Sequence, residues 1–148
     1  GSEMCIRDRF GAGLRELEGE KFDCITFLDV LEHMVEPELA LKAAKEYLAP
    51  GGTVVASIPN VLHFYNIWDI LVNQDWKYSE AGIMDKTHLR FFTSNSIRRM
   101  FTECGYSQIE IAGINESYGL KYSVLNALTL GAIKDMRFVQ FAVCAQIV

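Results

Sequence analysis

The chain has 148 residues, half of them apolar, with 22% charged, 11% aromatic and a net charge of −5. One domain of this size buries roughly 70% of its unfolded surface, and high apolar content with modest charge excludes a disordered chain. No apolar run reaches the roughly 18 residues of a spanning helix and no signal-peptide pattern opens the chain, which predicts a soluble, cytoplasmic protein.

Residues 1–50 carry eleven acids against six bases, and residues 51–148 carry eight of each. No basic stretch tracks a phosphate backbone, so nucleic acid is not an expected partner. Cys5, Cys24, Cys104 and Cys144 are scattered without a CxxC pair. Reduced, mostly buried thiols are expected, and no zinc site.

Gly1 to Arg9 matches nothing downstream and resembles a cloning scar or translated adapter. Residues 1–20 are therefore set apart as a leader with a short helix or loop, leaving 21–148 as the domain. Gly11-Ala12-Gly13 lacks both the preceding strand and the third glycine of a nucleotide loop.

From Phe22 the pattern sharpens. Cys24 to Leu28 is a short apolar run suited to a strand covered on both faces. A helix is predicted from Pro37, with proline at its first position, Glu38 facing Lys42, and apolar residues Leu39, Ala40, Ala43, Ala44, Tyr47 and Leu48. Pro50-Gly51-Gly52 is expected to end it in a tight turn, and Thr53 to Ile58 is the next strand. Strand, helix and strand within about 35 residues make a βαβ unit with parallel strands.

Residues 61–73 read as an aromatic helix and 73–88 as a polar stretch without period. Thr93 or Ser94 caps a helix whose apolar face holds Ile97, Met100 and Phe101, and Gly105 ends it. Gln108 to Ile114 alternates like a strand, 120–134 is an apolar helical connection, and Phe138 to Val148 is a long closing strand.

Four segments carry a family resemblance. They are Phe22-Asp23-Cys24-Ile25 leading into Asp29-Val30-Leu31-Glu32-His33, then Leu48-Ala49-Pro50-Gly51-Gly52, then Ile58-Pro59-Asn60, and last His88-Leu89-Arg90-Phe91-Phe92-Thr93 before a helix ending Glu103-Cys104-Gly105-Tyr106. In this order the chain resembles the C-terminal half of a class I S-adenosylmethionine-dependent methyltransferase over roughly residues 20–148. The resemblance implies an α/β, Rossmann-like fold reduced to strands four to seven, the last antiparallel. It also implies that the glycine-rich cofactor loop and the ribose-binding acid lie outside this sequence, so the chain alone is expected to be inactive. The open edge of the fourth strand is expected to drive self-association.

The resemblance places S-adenosylmethionine against Leu28, Asp29, Val30 and Leu31. Asp29, Glu32 and His33 stand at i, i+3 and i+4, which one helical turn brings to one face as a divalent-metal half-site. The pattern is similar to the Glu-x-x-Glu-His motif of small-RNA 2′-O-methyltransferases and some quinone-pathway O-methyltransferases, with Asp29 one methylene shorter than the first glutamate. That likeness adds His88 as a fourth ligand for magnesium or manganese. Without a metal, His33 or His88 is the expected general base.

Seven of the seventeen aromatics fall in residues 61–92, so Phe64, Tyr65 and Trp68, with Asn60 and Arg90, are expected to line an acceptor pocket. Core packing is the competing reading for Phe64, Trp68 and Phe92. Asp85 and Arg90 are read as a pair flanking His88. The acceptor implied is a small-molecule or glycan hydroxyl. Two other readings stay open: an interaction module pairing through the sheet edge, and a metal-dependent enzyme methylating RNA 2′-hydroxyls. A nucleotide-binding oxidoreductase would need a glycine-rich turn after a strand, which Gly11 to Gly13 does not supply.

Overall fold

A computed structural model describes residues 19–147. The leader to residue 18, with Cys5 and Gly11-Ala12-Gly13, lies outside the described residues. The sheet is built from β1 (Phe22–Leu28), β2 (Leu48–Pro59), β3 (Ser107–Glu116) and β4 (Phe138–Gln146). Their order is β1-β2-β4-β3, with β1 and β2 parallel and β4 antiparallel to both its neighbours. The βαβ unit and the antiparallel closing strand are thus present as expected.

Helix α1 (Pro37–Tyr47) links the two parallel strands, starting at the proline whose missing N–H costs nothing there. The expected turn at Pro50-Gly51-Gly52 takes a different form. Phe22 pairs with Leu48 and Cys24 with Thr53, so residues 49–52 bulge out of a ladder that has already begun. Gly51 takes φ of 76°, and a Cβ on Gly52 would stand 2.8 Å from the Ala49 carbonyl and 3.1 Å from that of Phe22. Two glycines are what let the strand continue through this excursion.

Helix α2 (Phe64–Trp68) continues into a wider turn over Asp69–Asn73. Helix α3 (Ser94–Glu103) opens on a reciprocal cap: Thr93 Oγ1 accepts from the Ser96 amide at 3.1 Å and Ser96 Oγ accepts from the Thr93 amide at 2.8 Å. Such a cap contributes about 1 kcal/mol. Gly105, at φ of 80°, ends the helix. Helix α4 (Leu120–Leu128) and a short turn at Lys134–Arg137 lead into β4.

The core lies on one face of the sheet. Val54, Ala56 and Ile58 of β2 and Phe141, Val143 and Ala145 of β4 pack with Ala40, Leu41 and Ala44 of α1 and Ile97, Met100 and Phe101 of α3. Tyr106 ties the layer together, its buried hydroxyl donating to the Leu41 carbonyl at 2.8 Å. On the opposite face Thr26, Leu28, Glu110 and Ala112 are exposed. The expectation of a β1 covered on both faces is corrected here. Phe27 is buried but Leu28 is 60% exposed, because α1 and α3 both join the core on the Phe27 side. The same geometry exposes Cys24, while Cys104 is buried and Cys144 is intermediate.

Candidate functional site

The carboxyl ends of β1 and β2 meet the start of β4 at one end of the sheet, where Leu28 pairs with Ser57 and Pro59 with Gln140. Asp29 leaves β1 in a left-handed conformation, φ 52°, its amide donating to the Ser57 carbonyl at 3.2 Å and hydroxyl at 3.0 Å. A single turn of 3₁₀ helix, Leu31–His33, follows. The expected helical face of Asp29, Glu32 and His33 is therefore not formed. The left-handed Asp29 cannot belong to that turn of helix, and its carboxylate accepts instead from Gln140 Nε2 at 2.7 Å. Gln140 is itself fixed by Asn115 Nδ2, which donates to its Oε1 at 2.6 Å.

His88 arrives from the polar stretch after α2. The Glu32 carbonyl accepts from the amides of Leu89 and Arg90 at 2.8 and 3.0 Å, which pins this segment beside the 3₁₀ turn. Asn60 and Phe92 form a bridge that holds its far end to the sheet. His88 Nδ1 lies 3.0 Å from the Ile83 carbonyl, and His33 Nδ1 lies 3.2 Å from the Thr87 carbonyl. A carbonyl only accepts, so both Nδ1 atoms donate, and in the neutral rings the lone pair is on Nε2. The rings stand edge to face with centroids 4.7 Å apart.

Glu32 lies beside them, 1% exposed, and neither carboxylate oxygen accepts a hydrogen bond among the described residues. Burial pushes its carboxyl from the ordinary 4.5 up to about 7, and the nearby Asp29 carboxylate adds to the rise. Its Oε1 is 4.0 Å from His88 Nε2. Candidate ligand atoms of Glu32, His33 and His88 all lie within 4.8 Å of one another. A buried carboxylate facing an imidazole lone pair needs a cation between them, either a proton or a metal ion. One carboxylate and two imidazoles suit a divalent ion such as manganese better than magnesium, which favours oxygen throughout.

These three groups, with Asp29, Asp85 and Gln140, line a cavity of about 270 Å³. Of the four residues expected to ligate a metal, the structure brings Glu32, His33 and His88 together. Asp29 lines the same cavity but falls outside that cluster. Leu28 and Asp29 are exposed at the strand end, Val30 is half-buried and Leu31 is buried.

None of the five residues expected in the acceptor pocket lines this cavity. Asn60 is buried as a clamp, donating to the carbonyls of Asp135 and Phe138 at 3.0 and 2.9 Å. Phe64 packs against Trp68 and Tyr122, Trp68 lies under the Lys121 ammonium, and Tyr65 is exposed beside them. Arg90 donates through Nε to the Val35 carbonyl at 2.9 Å, and so does not pair with Asp85. The aromatic stretch divides in two, because Trp76 and Tyr78 pack on Phe91 instead of on α2. Sequence reasoning did not place Thr87, Ile83 or Gln140 in the site. Thr87 adjoins His88, a signal that was available, whereas Gln140 enters only through strand pairing.

A profile of the family described as "methyltransferase domain" matches residues 6–111, and the chain belongs to that family. Its fold is that of the class I S-adenosylmethionine-dependent methyltransferases. A SAM-dependent methyltransferase from Archaeoglobus fulgidus superposes with a TM-score of 0.64 at 14% identity, covering 91% of this chain and 63% of that one. A SAM-dependent methyltransferase from Thermotoga maritima gives 0.59 at 13% identity, covering 87% and 57%. A curated relative, a ubiquinone biosynthesis O-methyltransferase from Cereibacter sphaeroides, is 26% identical over 98 residues. That match takes in 65% of this chain and 38% of the relative, so it spans well under half of the curated protein's length. No described helix is long and apolar enough to cross a membrane.

Proposed function

We propose that this domain serves methyl transfer from S-adenosylmethionine to a hydroxyl of a small-molecule or sugar acceptor, with Glu32, His33 and His88 holding a divalent ion beside that acceptor. The observation that carries the reading is the buried Glu32 carboxylate, without a hydrogen bond among the described residues, facing an imidazole whose Nδ1 proton is committed elsewhere. The curated relative's name, an O-methyltransferase, supports oxygen as the methylated atom.

S-adenosylmethionine, when bound, supplies a methyl group on a cationic sulfur, and a divalent ion supplies Lewis-acid polarisation of the acceptor hydroxyl. The remaining work falls to the protein's residues. Leu28 offers an apolar surface and Asp29 a hydrogen-bond acceptor side by side, which suits a nucleoside, with Val30 and Leu31 behind them. Gln140 keeps the Asp29 carboxylate at the cavity wall. Nε2 of His33 or His88 takes the acceptor's proton if no ion is held there. Methyl transfer is governed by in-line alignment of oxygen, carbon and sulfur, so a rigid cavity wall is the main requirement.

Thermal unfolding with and without manganese, each with and without S-adenosylhomocysteine, tests the proposal. A ligand at about 100 times its dissociation constant stabilises the fold by roughly 2.7 kcal/mol. For a chain of this length that is a rise of about 5–10 °C. Manganese is expected to produce such a rise at mildly alkaline pH. Absence of a manganese shift overturns the metal reading; a nucleoside shift alone favours histidine as the base.

A further inference from the structure

We propose that Thr87, locked by Asp85, is a positioning residue that fixes the tautomer of His33. The inference deepens the proposed function and rests on it for its purpose, though not for its geometry. Thr87 Oγ1 lies 2.7 Å from Asp85 Oδ1 and 3.1 Å from His33 Nδ1. A hydroxyl has one proton and lone pairs to spare, while a carboxylate only accepts. The Thr87 proton therefore goes to Asp85, leaving Oγ1 to accept from His33. The Thr87 carbonyl, 3.2 Å from the same Nδ1, accepts as well. His33 is thus protonated on Nδ1 and presents Nε2 as its free nitrogen.

Asp85 is built to keep that hydroxyl oriented. Its Oδ1 also accepts from the Thr87 amide at 2.8 Å, a turn closed by its own side chain. Its amide donates to the Gly82 carbonyl at 3.1 Å, and its carbonyl accepts from the His88 amide at 3.0 Å. One short loop therefore carries both tautomer locks, with Ile83 holding His88 and Thr87 holding His33. His33 is only half-buried, and an unrestrained imidazole in water favours the proton on Nε2, the arrangement that blocks ligation. Partners of this kind, acting through a ligating histidine, typically change metal affinity by about 10- to 100-fold.

Side-chain ¹⁵N spectroscopy of the metal-free chain, above the imidazole titration range, reads the tautomer directly. Wild-type His33 is expected as Nδ1–H. Thr87→Val leaves the Thr87 carbonyl as the one acceptor for Nδ1, and is expected to raise the Nε2–H share measurably and to weaken manganese binding by up to about 10-fold. Thr87→Ser, which keeps Oγ1, is expected to restore both, with the backbone amide spectrum away from residues 79–92 reporting that each variant is folded. The proposal is overturned if wild-type His33 carries its proton on Nε2, or if folded Thr87→Val keeps the wild-type tautomer. Manganese added to the same wild-type sample separates the two claims. Failure to broaden the His33 and His88 signals overturns the metal reading and leaves the tautomer result standing.

Discussion

Replacing Glu32 by glutamine is expected to stabilise the metal-free protein at mildly alkaline pH and to abolish stabilisation by manganese. The folded carboxyl titrates at about 7 against an ordinary 4.5, driven up by burial. The folded state therefore binds the proton more tightly than the unfolded chain. The stability tied to this group is fully present below the unfolded value and is lost as pH rises through the folded one. The whole shift corresponds to about 3 kcal/mol. Glutamine occupies the same space, cannot ionise, and so removes that loss. Urea unfolding at about pH 5 and about pH 8 should show a falling wild type and a nearly level variant. With saturating manganese at the higher pH the order should reverse, because only the carboxylate supplies a ligand. Parallel pH profiles for the two proteins would contradict the account. A residue that destabilises its own fold until it is neutralised is the pattern expected where function outweighs stability.

Asn60→Asp is expected to cost about 3–5 kcal/mol at neutral pH without altering manganese affinity. The Asn60 amide donates to two carbonyls, those of Asp135 and Phe138, and its Oδ1 accepts from the Leu62 amide at 3.1 Å. The side chain is 1% exposed. A carboxylate there faces two acceptors with no proton to give, whereas a protonated aspartic acid satisfies one of them. Acid should therefore restore part of the loss. Asn60→Ala leaves the same groups orphaned without adding charge, and about 3 kcal/mol is expected for it. Urea unfolding at about pH 7 and about pH 5 checks both variants. A cost of less than about 1 kcal/mol for Asn60→Asp would contradict the clamp. Weakened manganese binding in a folded Asn60→Ala protein would instead return this residue to the site.

Much of the fold was legible because local signals and long-range packing agree. Pro37 starts a helix, Thr93 caps one, and Ile97, Met100 and Phe101 recur at the spacing of one buried helix face. The coverage of β1 was not legible, since an apolar run is written alike whether one face or both are packed. Glu32, His33 and His88 were readable as a group from residue type and from the resemblance. The reason they converge was hidden, because it is the Glu32 carbonyl that draws the amides of Leu89 and Arg90 to it. The departure of Asp29 from that group comes from a left-handed backbone conformation that residue identity does not announce. Aromatic content did not mark the cavity beside Glu32: Phe64 packs with Trp68 and Tyr122, and Asn60 bonds to the backbone.

Diffraction from crystals of the protein soaked in manganese, with data collected to record its anomalous scattering, tests the central claim most directly. The account predicts one anomalous peak enclosed by the Glu32 carboxylate, His33 Nε2 and His88 Nε2, absent from crystals of Glu32→Gln treated in the same way. A map with no peak among these three side chains, or one that persists in the glutamine variant, would contradict it.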